Sequence, residues 1–304
     1  MLNTPFSPWP SFTQEEADAV SQVLLSNKVN YWTGQECRQF ETEFAEWADS
    51  KYAIAMGNGT LALDVALQAL DIGAGDEVIV TPRTFIASIS SVVNAGATPV
   101  FADVDEATGN ITPESIAAVL TDKTKAIVCV HLAGWPCDMD GIMALAEQHN
   151  LYVIEDCAQA HGARYKGRSV GSVGSVGSIG HIGAWSFCQD KIMTTGGEGG
   201  MVTTNDEQLW RKMWAYKDHG KSYAAVYETE HPPGYRWLHE SFGTNWRMTE
   251  MQGVIGRIQL TRMPDWTAKR TANAQAILDA CAKWEAKGYL SVPRLEESAQ
   301  FADS

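Results

Sequence analysis

The sequence predicts an α/β domain, a mostly parallel sheet covered by helices, with the beginning of a smaller α+β unit behind it. Two observations predict this. Short β-branched runs alternate with helix-like stretches until about residue 245, and past Trp246 the alternation gives way to one long helical stretch.

In chain order, the β-branched runs cover residues 52–55, 77–81, 99–104, 126–131 and 151–155. Helix-like stretches at residues 61–70, 85–95, 113–120 and 141–148 fill the intervals. Strand and helix in alternation imply right-handed crossovers and strands buried on both faces. The later helical stretch runs from about 248 to 284, with Gly256, Arg257 and Gln259 among apolar residues, and a strand is expected at 289–292. A large domain over 1–245 and the start of a small one over 246–304 follow.

Composition fits this reading. At roughly 150 residues per domain, 304 residues hold two domains, or one large domain with an appendage. With 45% apolar and 20% charged residues, disordered and collagen-like classes are excluded. The 23 Lys and Arg against 37 Asp and Glu give a formal charge of −14, which argues against nucleic acid or anionic lipid as partner and favours a metabolite. The N-terminus lacks the basic start and apolar core of a secretory signal, and no run approaches the roughly eighteen apolar residues of a membrane span, so a cytoplasmic protein is expected. The six cysteines are widely scattered without a paired C-x-x-C, which suits reduced thiols rather than disulfides or a metal site.

In open α/β sheets, ligands sit beyond the carboxyl ends of the strands. Three segments carry chemistry there. Gly59-Thr60-Leu61 opens a helix, where free N–H groups and the Thr60 hydroxyl make either a phosphate seat or an ordinary helix cap. Ile154-Glu155-Asp156 ends an apolar strand in acid, which needs a cation or proton donor nearby; a cap or a metal ligand are the alternatives. Lys191 lies between an apolar strand and the glycine-dense 194–200 loop, either as a solvated surface lysine or, if desolvated, as a Schiff-base nucleophile. Phosphate seat, strand-end Asp and loop Lys together specify pyridoxal phosphate better than any other cofactor. The three-residue repeat from Gly171 to Gly180 lacks the strand–G-x-G-x-x-G–helix context of a dinucleotide site and reads as an enlarged loop.

Three blocks, GNGTLALDVALQALDIGAGDEVIVTPRTFIASISSVVNAGATPVFADVD, VIEDCAQAHGARYKGRSVGS and GAWSFCQDKIMTTGGEGGMVTTND, closely resemble the DegT/StrS-type nucleotide-sugar aminotransferases, which have the fold-type I architecture of pyridoxal-phosphate enzymes. The resemblance runs from about Phe12 to Leu260. It implies that Lys191 takes the covalent link to the cofactor and shuttles the proton, that Asp156 pairs with the pyridine nitrogen, and that Gln159 lies near the ring and its phenolic oxygen. Phe85 would stack on the opposite face, and Thr60, Leu61 and Ser186 would hold the phosphate. Asn245 would complete the phosphate site of a neighbouring subunit, which implies an obligate homodimer. The implied reaction carries an amino group from an amino acid, usually glutamate, to a keto group of a nucleotide-linked deoxysugar, for amino-sugar or surface-polysaccharide synthesis.

His161 reads as an oriented structural histidine beside the site, and His131 and Trp135 as residues of a loop that either shapes a sugar pocket or forms a turn. Tyr31, Trp32 and Thr33 either approach the site or pack on the surface. The family continues past this point with further strands and a helix. A non-catalytic pyridoxal-phosphate-binding regulator or an inactive fragment is therefore the competing reading.

Overall fold

The computed structural model describes residues 8–172 and 180–292. Its strands are β1 (Tyr52–Met56), β2 (Glu77–Val80), β3 (Thr98–Phe101), β4 (Thr124–Val130), β5 (Tyr152–Asp156), the short hairpin β6 (Arg164–Tyr165) and β7 (Arg168–Ser169), β8 (Ile182–Ser186) and β9 (Gly200–Thr204). Seven form one sheet in the order β1-β9-β8-β5-β4-β2-β3. Neighbours from β8 to β3 run parallel, whereas β9 is antiparallel to both β8 and β1. The expected mostly parallel α/β sheet is thus observed. The 200–204 strand, absent from the sequence reading, supplies its antiparallel part.

Side chains alternate across the sheet as the pleat requires. Ala53 and Ala55 of β1 face a core with Phe40, Phe44, Trp185 and Phe187, while Ile54 and Met56 face a second core with Leu63, Leu67, Val78 and Met213. The helices are α1 (Gln14–Leu25), α2 (Glu36–Trp47), α3 (Gly59–Ala69), α4 (Ala87–Asn94), α5 (Pro113–Ala117), α6 (Met139–His149), α7 (Glu207–Lys217) and α8 (Glu250–Glu285). Helix α3 buries Ala62, Leu63, Val65, Ala66, Leu67 and Ala69, most of its circumference, because α4, α7 and the sheet surround it.

The long C-terminal helix forms as expected, capped by Thr249 with Gln252 in a capping box. Its first half lies on α1 and α2. A Cβ at Gly253 would stand 2.9 Å from the Cys37 backbone nitrogen, and one at Gly256 would stand 2.6 Å from the Phe40 ring, so these glycines permit the close approach. Charged groups close the contact: Arg257 meets Glu36 and Glu43 at 2.6 and 2.7 Å, and Arg262 meets Glu15 and Glu16 at 2.7 and 3.1 Å. The strand expected at 289–292 does not form. Tyr289 instead folds back on α8, its N–H bonding the Trp284 carbonyl at 3.1 Å, and among the described residues no strand pairs with it. Residues 173–179 of the glycine–serine repeat lie outside the described residues; its flanking Gly171 adopts φ +68° and packs against Trp185. No helix among the described residues is long and apolar enough to cross a membrane.

Candidate active site

The sheet register brings the predicted residues to one end. Met56 and Ser186 both pair with Gly200, and Asp156 pairs with Ala184, two residues before Ser186. The carboxyl ends of β1, β5 and β8 therefore open on the same space.

Helix α3 begins there. Its cap is Asn58, whose side-chain oxygen accepts the Leu61 N–H at 3.0 Å, so Thr60 is not the cap and the Leu61 N–H is already engaged. Gly59 is pressed against β8: a Cβ there would lie 2.5 Å from Ser186 Cβ and 2.9 Å from its hydroxyl. Only glycine allows the helix start to meet Ser186 so closely. The Ser186 hydroxyl accepts the Cys188 N–H at 3.3 Å. Gly59, Thr60 and Ser186 thus form a small cradle at a positive helix terminus.

Asp156 ends β5, with 7% of its surface exposed. Its carboxylate accepts the Ser88 hydroxyl at 2.7 Å and the Ala158 N–H at 3.1 Å. Burial pushes the carboxyl above its ordinary range, opposed by those two hydrogen bonds and by the nearby charge of Lys191. Ser88, on α4, was missed by the sequence reading; its only signal is its place one helical turn after Phe85. Phe85 itself stands 67% exposed in front of α4. Gln159 follows in the loop after β5, where its side-chain oxygen accepts the Ala133 N–H at 2.8 Å.

Lys191 sits in a loop closed on itself. The Thr194 hydroxyl donates to the Phe187 carbonyl at 2.8 Å and accepts the Gly197 N–H at 3.2 Å. Gly196 and Gly197 take φ of +91° and +121°, a turn that side chains disfavour. The lysine side chain is 16% exposed, with its Nζ 3.3 Å from Asp190. The Thr194 N–H bonds Gln259 of α8 at 2.8 Å, and Gln259 in turn donates to Glu16 of α1 at 2.9 Å, so a distant helix pair braces this loop.

The other candidates separate. His161 is fully buried between Trp185 and Phe187, and burial with the nearby Lys191 charge pushes it down to about 3, which keeps it neutral. His131 is buried against Glu155 at 2.8 Å rather than lining open space. Tyr31 packs inside, its ring 4.0 Å from the buried Lys217 ammonium, which pairs with Glu41 at 3.2 Å. Asn245 is exposed, in a segment held to the main sheet: Asp218 bridges Asn245, Arg247 bridges Met56, and the Gly57 N–H bonds the Trp246 carbonyl at 2.9 Å. The connection before it exposes Tyr235, Trp237 and Phe242. Cys37, Cys129, Cys137 and Cys157 are buried free thiols, and Cys188 and Cys281 are partly exposed and also free.

Known proteins share this architecture. Residues 10–302 match the family model described as the DegT/DnrJ/EryC1/StrS aminotransferase family. The chain is 42% identical over 265 residues to the GDP-perosamine synthase of Escherichia coli O157:H7, covering 86% of this chain and 67% of that one. Across curated relatives of this kind, it spans about two thirds of their length. Among solved structures it resembles the aminotransferase from Psychrobacter cryohalolentis (93% identity, TM-score 0.94, 98% of this chain and 74% of that one). It also resembles NtdA from Bacillus subtilis with bound cofactor PMP, at 28% identity and a TM-score of 0.79 over 99% of this chain and 67% of that one. With the family model matched over residues 10–302 and a relative 42% identical over 86% of the chain, the chain belongs to the DegT/DnrJ/EryC1/StrS aminotransferase family.

Proposed function

We propose that this chain is a pyridoxal-phosphate-dependent aminotransferase that moves the amino group of an amino acid, glutamate, to a keto group of a nucleotide-linked deoxysugar. The observation that carries it is the convergence of a buried strand-end carboxylate, Asp156, with Lys191 and the Gly59–Ser186 cradle.

The residues present fit the cofactor. A phosphate suits the cradle, which offers backbone N–H groups, two hydroxyls and a helix terminus where a Cβ on Gly59 would intrude. When bound, the cofactor supplies an electron sink for the carbanion formed at the amino-bearing carbon. Asp156 would hold the pyridine nitrogen protonated, and Ser88 keeps that carboxylate oriented. Phe85, exposed at the mouth, would cover one face of the ring and exclude water. Lys191 would take the proton from the donor's α-carbon and return it at the acceptor carbon, acting as both base and acid.

We infer further that the enzyme works as a cytoplasmic homodimer, with Asn245 offered to the neighbouring subunit's phosphate site. The exposed Tyr235, Trp237 and Phe242 beside it support an interface there. Residues 246–304 are read as belonging to a smaller C-terminal domain. Names such as GDP-perosamine synthase and dTDP-3-amino-3,6-dideoxy-α-D-galactopyranose transaminase among the relatives support a nucleotide-sugar substrate. The test is release of 2-oxoglutarate from glutamate with a panel of keto-sugar nucleotides. Turnover lost in Lys191→Ala supports the reading; cofactor uptake with no 2-oxoglutarate release from the wild type supports a non-catalytic binder instead.

A further inference from the structure

Directly behind the site lies a buried polar pair that the proposed chemistry does not use. Glu155 and Asp156 are adjacent on β5, so their side chains leave opposite faces of the sheet. Asp156 faces Ser88. Glu155 faces inward, fully buried, and meets the fully buried His131 at 2.8 Å.

The hydrogen bonds fix the state of this pair. Burial lowers, and the Cys137, Cys157 and Glu155 side chains more than restore, the affinity of His131 for a proton; yet the Cys137 N–H donates to His131 Nδ1 at 3.1 Å, so that nitrogen carries none. The proton therefore sits on Nε2 and is donated to Glu155 Oε2, which also accepts the Gly171 N–H at 2.9 Å. Cys157 brings a thiol close enough that the three donor atoms lie within 4.8 Å of one another. A metal ion is nonetheless disfavoured, because Nε2 offers a proton rather than a lone pair.

The neutral imidazole is then a tie across one loop. The His131 backbone N–H bonds the Asp156 carbonyl at 3.2 Å, anchoring the start of the 131–137 segment, and the ring Nδ1 anchors the end at Cys137. Between the anchors the chain turns through Ala133 at φ +54° and Gly134 at φ +84°. A non-glycine residue in that region costs roughly 1 kcal/mol and persists only where its surroundings enforce it. The same Ala133 donates its N–H to Gln159. A backbone N–H accepts nothing, so the Gln159 amide must turn its oxygen to the loop and its NH2 group away from it.

We propose that the His131–Glu155 pair is a positioning device for Gln159, pinning the 131–137 loop so that the Gln159 carboxamide presents its NH2 group to the phenolic oxygen of bound pyridoxal phosphate. This rests on the cofactor reading given above. Gln159 is the group in contact; His131 and Glu155 act through it.

The test uses the holoenzyme and two readouts, the dissociation constant for pyridoxal phosphate and the pH midpoint at which the visible band of the bound cofactor titrates. Gln159→Ala and His131→Asn should each weaken binding by about tenfold, the loss of one hydrogen bond to a charged acceptor. Both should move the midpoint in the same direction, and the double variant should be no worse than either single one. Glu155→Gln, which keeps an acceptor for His131 and Gly171, should stay close to wild type. A His131→Asn midpoint equal to wild type, or losses that multiply in the double variant, would overturn the proposal. Where His131→Asn does not fold, nitrogen-15 NMR of the wild-type holoenzyme decides: a neutral Nε2–H imidazole is expected, and an Nδ1–H tautomer or an imidazolium overturns it. A wild type that takes up no cofactor overturns the parent reading as well, whereas uptake with an unmoved midpoint in His131→Asn overturns this one alone.

Discussion

The strand-end site and the junction of α1, α2 and α8 are built from similar residues in opposite ways. At the junction nearly every charge meets its complement: Arg257 pairs with two glutamates, Arg262 with two more, and Gln259 uses both ends of its amide. Glu250, fully buried at the start of α8, accepts the Glu36 and Cys37 N–H groups at 2.5 and 3.4 Å and so caps α2 from another helix. Gly34 clears the space for it, since a Cβ there would lie 2.1 Å from the carboxylate. At the strand end, by contrast, the Lys191 ammonium has, among the described residues, only the exposed Asp190 as an ion-pair partner, and Phe85 faces solvent. Satisfied polar groups hold a fold, whereas partly satisfied ones at a strand end are positioned for something that arrives later.

Substitutions in the two regions should therefore separate activity from stability. The largest effect belongs to Lys191→Ala, expected to lower transamination by about a thousandfold or more with an unchanged melting temperature. Sugar amination followed alongside thermal denaturation checks it, and a melting temperature that collapses with activity breaks the contrast. Asp156→Asn comes next. Losing the charge opposite the pyridine nitrogen should cut kcat by about a hundredfold, and removing a buried carboxylate should leave stability equal or slightly raised. Steady-state kinetics and a denaturant titration read the two separately.

At the junction the order reverses. Glu250→Ala orphans two helix N-terminal N–H groups in the interior and should cost about 2 kcal/mol in urea unfolding, with cofactor affinity retained. Smallest is Asp64→Asn on α3, a carboxyl belonging to neither region, which burial alone raises to about 6 from its ordinary 3.8. An acid raised in the fold costs nothing below pH 3.8, where both states hold the proton, and its cost is complete above pH 6. The asparagine should therefore leave acid stability unchanged and add about 1 kcal/mol at alkaline pH, a figure reduced because the side chain is only partly buried. Unfolding curves at the two pH extremes decide it; a gain that persists in acid would point to packing rather than charge.

Much of the site was legible because each member keeps a local signature. A Gly-Thr pair at a helix start, an acid closing an apolar strand and a lysine before a glycine-dense turn are short-range patterns, and the parallel sheet brings such strand ends together as a class. What escaped the sequence was long-range. Ser88 reaches Asp156 across 68 positions and Gln259 supports Thr194 across 65. Neither pairing leaves a mark on its neighbours in the chain. The strand at 289–292 failed for the same reason: a β-rich stretch becomes a strand only when another supplies its hydrogen bonds, and here Tyr289 turns back onto α8.

The sequence by itself determined the α/β class, the order of strand and helix, and the chemical type of each group at the strand ends, because periodicity and turn chemistry act over a few residues. Only the tertiary structure decided which groups meet. It gave the cap of α3 to Asn58 and left Thr60 free of that role, pressed Gly59 onto Ser186, and turned two neighbouring acids to opposite faces of one strand. Those outcomes depend on sheet register and helix approach, where a shift of one residue would exchange Asp156 for Glu155 and place the wrong carboxylate at the site.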